Sequence, residues 1–336
     1  MNAEEREKFW DVLKNLHDNK EESTRLLMNV SPWPKTLCRF RSVNERTLQN
    51  LNENKLFFSS ADHYDDPFDT YFYINVGQMI PIYEEIRRGL LDGDKSTADM
   101  LRSIVQFAGQ DPEKFIDTLL NTPLVFSRLE EQLRMVRNSI QRRLFSICFS
   151  EDPYNETLWL KYAENYSGFV LIYDLSNPGT FLCGKEEACL NCLLARERPN
   201  IYPVHYSDEK YDATKYAVGV LLMNRIAMQN NMDYKPLYNL MQNSLMWEAE
   251  RISLTKKKCH ENDQEWRMIR PAISEQQSCV KMKPTTVIIG LKTPEYESRL
   301  IVSAAVNAGI KDIRRLRINS SDELDSAPIP EGLYHI

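Results

Sequence analysis

Arg39 and Arg41 lie two residues apart in the alternating run Thr36–Ser42, with Phe40 between them. On a strand, residues i and i+2 share a face. The pair therefore presents two guanidiniums side by side, a fork suited to phosphate groups. Surface charge on an edge strand explains the same spacing. Asp263 and Glu265 are two apart at the head of a second strand-like run, Trp266–Arg270, and can face one cleft. A carboxylate there stabilises developing positive charge or orients a hydroxyl. The alternative is a solvated acidic edge, partly offset by Lys256 to Lys258. Trp159 and Tyr162, three apart on an expected helix, share a face. They read either as core packing or as an aromatic wall for a flat ring, with Ser150 donating nearby.

Metal chemistry has weaker support. Asp65, Asp66 and Asp69 surround Pro67-Phe68, and three carboxylates can hold a hard cation. A capped turn accounts for them better, because Asp satisfies backbone donors in turns. Cys189 and Cys192 have the spacing of a zinc pair, with Cys183 upstream and His205 downstream, but a second close pair is missing. No metal is expected. No Ser-His-Asp or Cys-His arrangement can be nominated from spacing, since such triads are assembled in space.

Composition narrows the field further. The chain carries 42 Lys plus Arg against 48 Asp plus Glu, a net charge of −6, so it has no global pull toward nucleic acid or anionic lipid. Arg134–Arg143 and Arg314–Arg317 are local basic clusters that read as solvated faces. Glycine is scarce, 11 residues in 336, against an average share of roughly 7%. Neither G-x-G-x-x-G nor G-x-x-x-x-G-K-[ST] occurs, so a nucleotide would have to be held without a Gly-rich loop. No apolar run approaches the ~20 residues of a membrane span. The charged N-terminus lacks the pattern of a signal peptide, and the seven scattered cysteines read as reduced thiols in a cytoplasm.

The elements that must position these residues follow from periodicity. A helix is expected over 3–28, ended by Ser31-Pro32-Trp33-Pro34, and residues 1–35 read as a helix and linker. Strands are expected at Thr36–Ser42, Lys55–Ser60, Leu144–Phe149, Gly168–Asp174, Tyr202–Tyr206, Trp266–Arg270, Thr285–Ile289 and Asp312–Ile318. Between them lie helical blocks, with stripes at Met100–Phe107 and Phe115–Leu120, a helix over Asn155–Tyr166, and another from Thr293-Pro294 to Gly309. This is not the regular alternation of a doubly wound sheet. Residues 36–330 are read as one α+β domain whose sheet is interrupted by helical insertions at about 76–143 and 177–255.

In this order the blocks resemble a widespread bacterial family catalogued as a domain of unknown function. The resemblance rests on Leu37-Cys-Arg39-Phe40-Arg41-Ser42, Leu56 to Ser60, Asp65 to Asp69, Cys148 to Ser150, Trp159 to Ala163, Gly168, Glu265-Trp266-Arg267 and Ile288 to Lys292. His260 and Asp263 stand where that family has Trp and Glu. More distantly, the layout is similar to that of ADP-ribosyltransferases. That similarity implies a mixed or antiparallel sheet of their type and NAD as a substrate, cleaved by transfer or hydrolysis. It also implies a macromolecular acceptor, protein or nucleic acid, and a role as toxin or in antiviral defence against phage. Residue by residue, Arg41, with Arg39 as the alternative, would grip phosphate or ribose. Ser150 would support the pocket, Tyr162 and Trp159 would stack, and Glu265 would be catalytic with Asp263 as its partner. Two other readings stand beside it: a non-enzymatic module binding an anionic ligand or protein through the Arg39/Arg41 face, and metal-dependent nucleic-acid processing at the three aspartates.

Overall fold

The computed structural model describes residues 1–16, 20–66, 68–91, 102, 105, 106, 111, 113, 114, 129–182, 201–229, 247–271 and 279–330. The chain opens with two helices where one is expected, α1 (Ala3–Lys14) and α2 (Lys20–Val30). Asn2 starts α1 through a reciprocal box with Glu5, and Asn15 ends it by donating its N–H to Val12 O. β1 (Thr36–Arg41) leads into α3 (Glu45–Asn52), capped by Asn44. The run read as a strand over Lys55–Ser60 divides at Phe58 into β2 (Lys55–Phe57) and β3 (Ser59–Ser60), which join different sheets.

β4 (Phe72–Tyr73), α4 (Val76–Leu91) and α5 (Leu129–Gln141) follow. Most of the stripes read at Met100–Phe107 and Phe115–Leu120 lies outside the described residues. Then come β5 (Leu144–Ser150), α6 (Glu156–Lys161) and β6 (Phe169–Asp174). α6 is shorter than the expected helix because Glu164, Asn165 and Tyr166 turn left-handed, with φ of 50°, 54° and 69°. Short strands β7 (Phe181–Leu182), β8 (Ile201–Pro203), β9 (His205–Ser207) and β10 (Tyr211–Asp212) precede α7 (Thr214–Gln229) and α8 (Glu248–Ser253). The C-terminal part comprises β11 (Thr255–Lys257), β12 (Glu265–Pro271), β13 (Cys279–Met282), β14 (Thr286–Ile289), α9 (Glu295–Asn307), β15 (Asp312–Ile318) and β16 (Leu324–Pro328). Gly309, φ 74°, terminates the last helix as expected.

These elements form an α+β fold around a nine-stranded mixed sheet ordered β16-β15-β14-β6-β1-β5-β12-β8, with β3 on the flank of β5. β14 and β15 are parallel, joined through α9, and the other neighbours are antiparallel. One face carries the main core, with Leu37, Phe149, Leu171, Trp266 and Ile289 packed against Leu51 of α3 and Ile301 of α9. The other face packs Cys38, Phe40 and Val170 against Trp159 of α6. α4, α5 and α7 share a separate core around Tyr83 and Tyr216. Residues 1–35 are more than a linker: Phe9, Trp10 and Leu13 pack with Tyr202, Val204 and Trp247. Among the described residues no helix is long and apolar enough to cross a membrane.

One seam interrupts the sheet. β1 runs beside β6 over its whole length, but it meets β5 only at the pair Cys38–Ser150. Farther along β5, Ser146 and Phe145 pair instead with Ser59 and Ser60 of β3. Arg39 to Arg41 and Ile147 to Phe149 thus line a gap between diverging strands.

Candidate functional site

β12 supplies one side of this region. Its pleat sends Trp266 and Met268 into the main core and turns Glu265 and Arg267 to the opposite face, opposite Ser150 and Cys148 of β5. Arg267 is 0% exposed. Its Nε donates to Glu265 Oε1 at 2.7 Å, its Nη1 to Ser253 O at 2.6 Å, and its Nη2 to both Asp69 oxygens at 2.8 Å. Lys256, from β11, donates to Glu265 Oε2 at 2.8 Å and to Asp263 Oδ2 at 3.2 Å. The two carboxylates expected to share a cleft therefore meet through one ammonium. The left-handed Gln264, φ 44°, makes the turn between them. At the edge, His260 Nε2 lies 3.1 Å from Asp66 Oδ2.

Burying a charge is costly unless it is paired, and here pairing outweighs desolvation. Burial works to raise the Glu265 carboxyl, yet Arg267 and Lys256 hold it well below the usual carboxylate range. Burial likewise works to lower Lys256, but Glu265 and Asp69 raise it above an ordinary lysine. Asp69, Asp263 and Glu265 face two cations, which leaves the cluster with residual negative charge.

Asp66, Phe68 and Asp69 are bonded as in a turn, as the composition suggests: Asp66 Oδ1 accepts from Phe68 N–H at 2.8 Å, and Asp69 N–H donates to Asp66 O at 3.0 Å. The Asp69 carboxylate is taken by Arg267. Among the described residues no group of three or more His, Cys, Asp and Glu side chains is disposed to hold a metal ion. Cys183, Cys189 and Cys192 lie outside the described residues, and His205 stacks on Trp10, ring centroids 4.4 Å apart.

Tyr162 and Trp159 do not form a common wall: Trp159 is buried in the core, while Tyr162, which caps the end of α6, is exposed. Trp159 is 0% exposed, donates through Nε1 to Pro153 O at 2.9 Å, and packs edge-on to Phe40 and flat on Tyr166. It is core. Tyr162 is 41% exposed and overlooks the acidic cluster. Burial pushes its hydroxyl up to about 12, Lys256 opposing and Glu265 and Asp263 reinforcing the shift. The buried Ser150 hydroxyl donates to Asp263 O at 2.8 Å and so fixes the turn carrying Asp263.

Arg39 and Arg41 share a face, but not that of Glu265. Cys38, which pairs with Ser150, lies on the Glu265 side, so the alternation turns Leu37, Arg39 and Arg41 toward the main core. The open seam brings the two faces into contact. The Arg39 guanidinium sits 6.0 Å from the Phe149 ring, and its electrostatic neighbours are Tyr173, Cys148 and Tyr64. Arg267 lies 5.4 Å over the Tyr64 ring, whose hydroxyl contacts Ser146 at 2.5 Å. Burial pushes the Cys148 thiol up to about 12, with Glu265 adding to the shift.

Neither arginine is compensated. Arg39 Nη1 is buried without a hydrogen-bond partner, and Arg41 has no ion pair or hydrogen bond among the described residues. Burial lowers both guanidiniums, Arg41 to about 9, with the neighbouring Arg39 as the next cause.

Lys256, Arg267, Tyr64 and Cys148 complete the site and were not read as members of it. For Arg267 a signal existed, since it stands two residues after Glu265 on the same strand. Tyr64 and Cys148 carried none, because their place depends on pairing between distant strands. No family model, curated protein or solved structure matches the chain.

Proposed function

We propose that the chain binds NAD across the β1–β5 seam and cleaves its nicotinamide–ribose bond, passing ADP-ribose to a macromolecule or to water. One observation carries the reading: two uncompensated arginines stand on one wall of the gap, and an ionised carboxylate, Glu265, lies beyond the other. In the reaction the C–N bond breaks with its electron pair going to the cationic ring nitrogen. Nicotinamide leaves neutral, and the ribose carbon gains oxocarbenium character. Such a step calls for negative charge and orientation rather than a proton shuttle. Glu265 and Asp263 supply the negative charge, Lys256 and Arg267 keep Glu265 ionised, and the exposed Tyr162 ring offers a stacking surface. Arg39 and Arg41 attract the pyrophosphate. The ADP-ribosyltransferase-like description of the sheet belongs to this reading, as does a role as toxin or phage-defence effector.

The test is release of free nicotinamide by the purified chain. Glu265→Gln is expected to lower kcat at least ~100-fold, the scale for losing a preorganised electrostatic group. Wild-type protein that releases nothing, or a variant as active as wild type, ends the reading. A second reading, binding without turnover, draws on the engagement of both Glu265 oxygens, at 2.7 and 2.8 Å, by Arg267 and Lys256. It predicts ligand-induced stabilisation that is lost in Arg41→Ala and retained in Glu265→Gln.

A further inference from the structure

We infer that the pocket beneath α3, between β1, β6 and β2, takes the phosphoryl group of a phosphorylated sugar, gripped by Arg41 and the Tyr173 hydroxyl. The site is a shallow cleft of about 310 Å³, open solvent included, so a ligand's phosphoryl group would sit at its mouth. Its polar lining comes from Arg41, Thr47, Asn50, Asn54, Lys55 and Tyr173, with no carboxylate among the described residues.

The donors are left over by the fold. Arg41 has no ion pair or hydrogen bond among the described residues. Tyr173 is 1% exposed, and its ring stands edge-on to Phe149 with the hydroxyl unbonded among the described residues. Its electrostatic neighbours are Arg39 and Arg41. Lys55, by contrast, is already paired with Glu53. The two half-buried guanidiniums repel each other, and they and the buried phenol hydroxyl forgo hydrogen bonds among the described residues. A phosphoryl oxyanion relieves both costs. Asn54 adds the sugar requirement: its amide donates to Ala308 O at 3.3 Å, while its buried Oδ1 has no donor, a place for a hydroxyl of the ligand. This inference rests on the reading of Arg39 and Arg41 as an anion grip, and cleavage of the bound ligand is not required.

Titration calorimetry on the full chain tests it with pyrophosphate, AMP and adenosine. Pyrophosphate and AMP are expected to bind, and adenosine at least ~10-fold more weakly than AMP. Arg41→Ala should weaken pyrophosphate at least ~10-fold, and Tyr173→Phe, which keeps the buried ring, ~3- to 10-fold. No binding at millimolar concentration, or variants that bind as tightly as wild type, overturns the inference. Displacement of pyrophosphate by NAD makes the dinucleotide the source of the phosphoryl group, and failure to displace it points to a separate phosphorylated sugar. Nicotinamide release, followed in the same preparation, separates the two proposals. Release without pyrophosphate binding overturns the pocket and leaves cleavage standing. Pyrophosphate binding that is lost in both variants, without release, supports the pocket and ends cleavage.

Discussion

Arg267 concentrates more of the site than any residue singled out by spacing. Its guanidinium ties together β12, the end of α8 and the Asp turn, three segments remote in sequence. Removing it strands two buried carboxylates, a loss of ~3–5 kcal/mol for a broken buried pair. Arg267→Met should therefore lower unfolding free energy in urea by that amount, and an unchanged midpoint would refute the network's role. Glu265 adds a pH signature. Its folded-state carboxyl titrates below the ordinary value of 4.5, so on acidification the unfolded chain takes up the proton first. The pairing is fully stabilising above that value and is lost progressively as pH falls below it. Glu265→Gln should flatten the acid limb of stability against pH below about 4.5 and leave its slope near neutrality unchanged. At this scale i, i+2 spacing correctly put Arg39 beside Arg41 and Asp263 near Glu265. It could not say that the two pairs lie on opposite faces, which follows from the Cys38–Ser150 register.

Between elements, the decisive contacts are made by backbone. The turn after α6 brings Gly168 against β1, where a Cβ would stand 2.1 Å from Arg41 O and 2.9 Å from Ala163 Cα. Neither atom is the end of a flexible side chain. Gly168→Ala must displace the end of β1 that carries Arg41, and overpacking of this kind costs ~1–3 kcal/mol or more. A thermal melt should show a large fall, accompanied by weaker pyrophosphate binding. Gly77, in the first turn of α4, provides the contrast: a Cβ there comes no nearer than 3.4 Å to the Asn75 side chain. Gly77→Ala should stabilise by ~0.5–1 kcal/mol through helix propensity. The glycine before β6 was visible in the sequence, but its neighbour was not. The division of Lys55–Ser60 at Phe58 escaped for a similar reason. Both halves are extended, and only their partners, β13 for one and β5 for the other, show that they belong to different sheets.

Across the whole molecule, scarcity of glycine and the shape of the sheet bear on the same question. Without Gly-rich loops, an anion must be held by side chains, and among the described residues two arginines stand uncompensated where β1 and β5 part. Most strands and the α+β class were readable because apolar alternation is local. Strand order was not, since the sheet sets β14, β15 and β16 from the C-terminal part beside β6 and inserts β12 between the earlier β5 and β8. The seam is a consequence of that order. Its unpaired backbone has a measurable correlate, because amides without a ladder partner exchange quickly. Peptides covering Arg39–Arg41 and Ile147–Phe149 should exchange faster than those covering Phe169–Ile172 or Trp266–Met268, which pair on both sides. If ligands enter here, saturating NAD or AMP should slow exchange at Arg39–Arg41 and leave α4 and α7 unchanged. Slowing confined to the helices, with none on β1, would place the ligand elsewhere and remove the seam from the site.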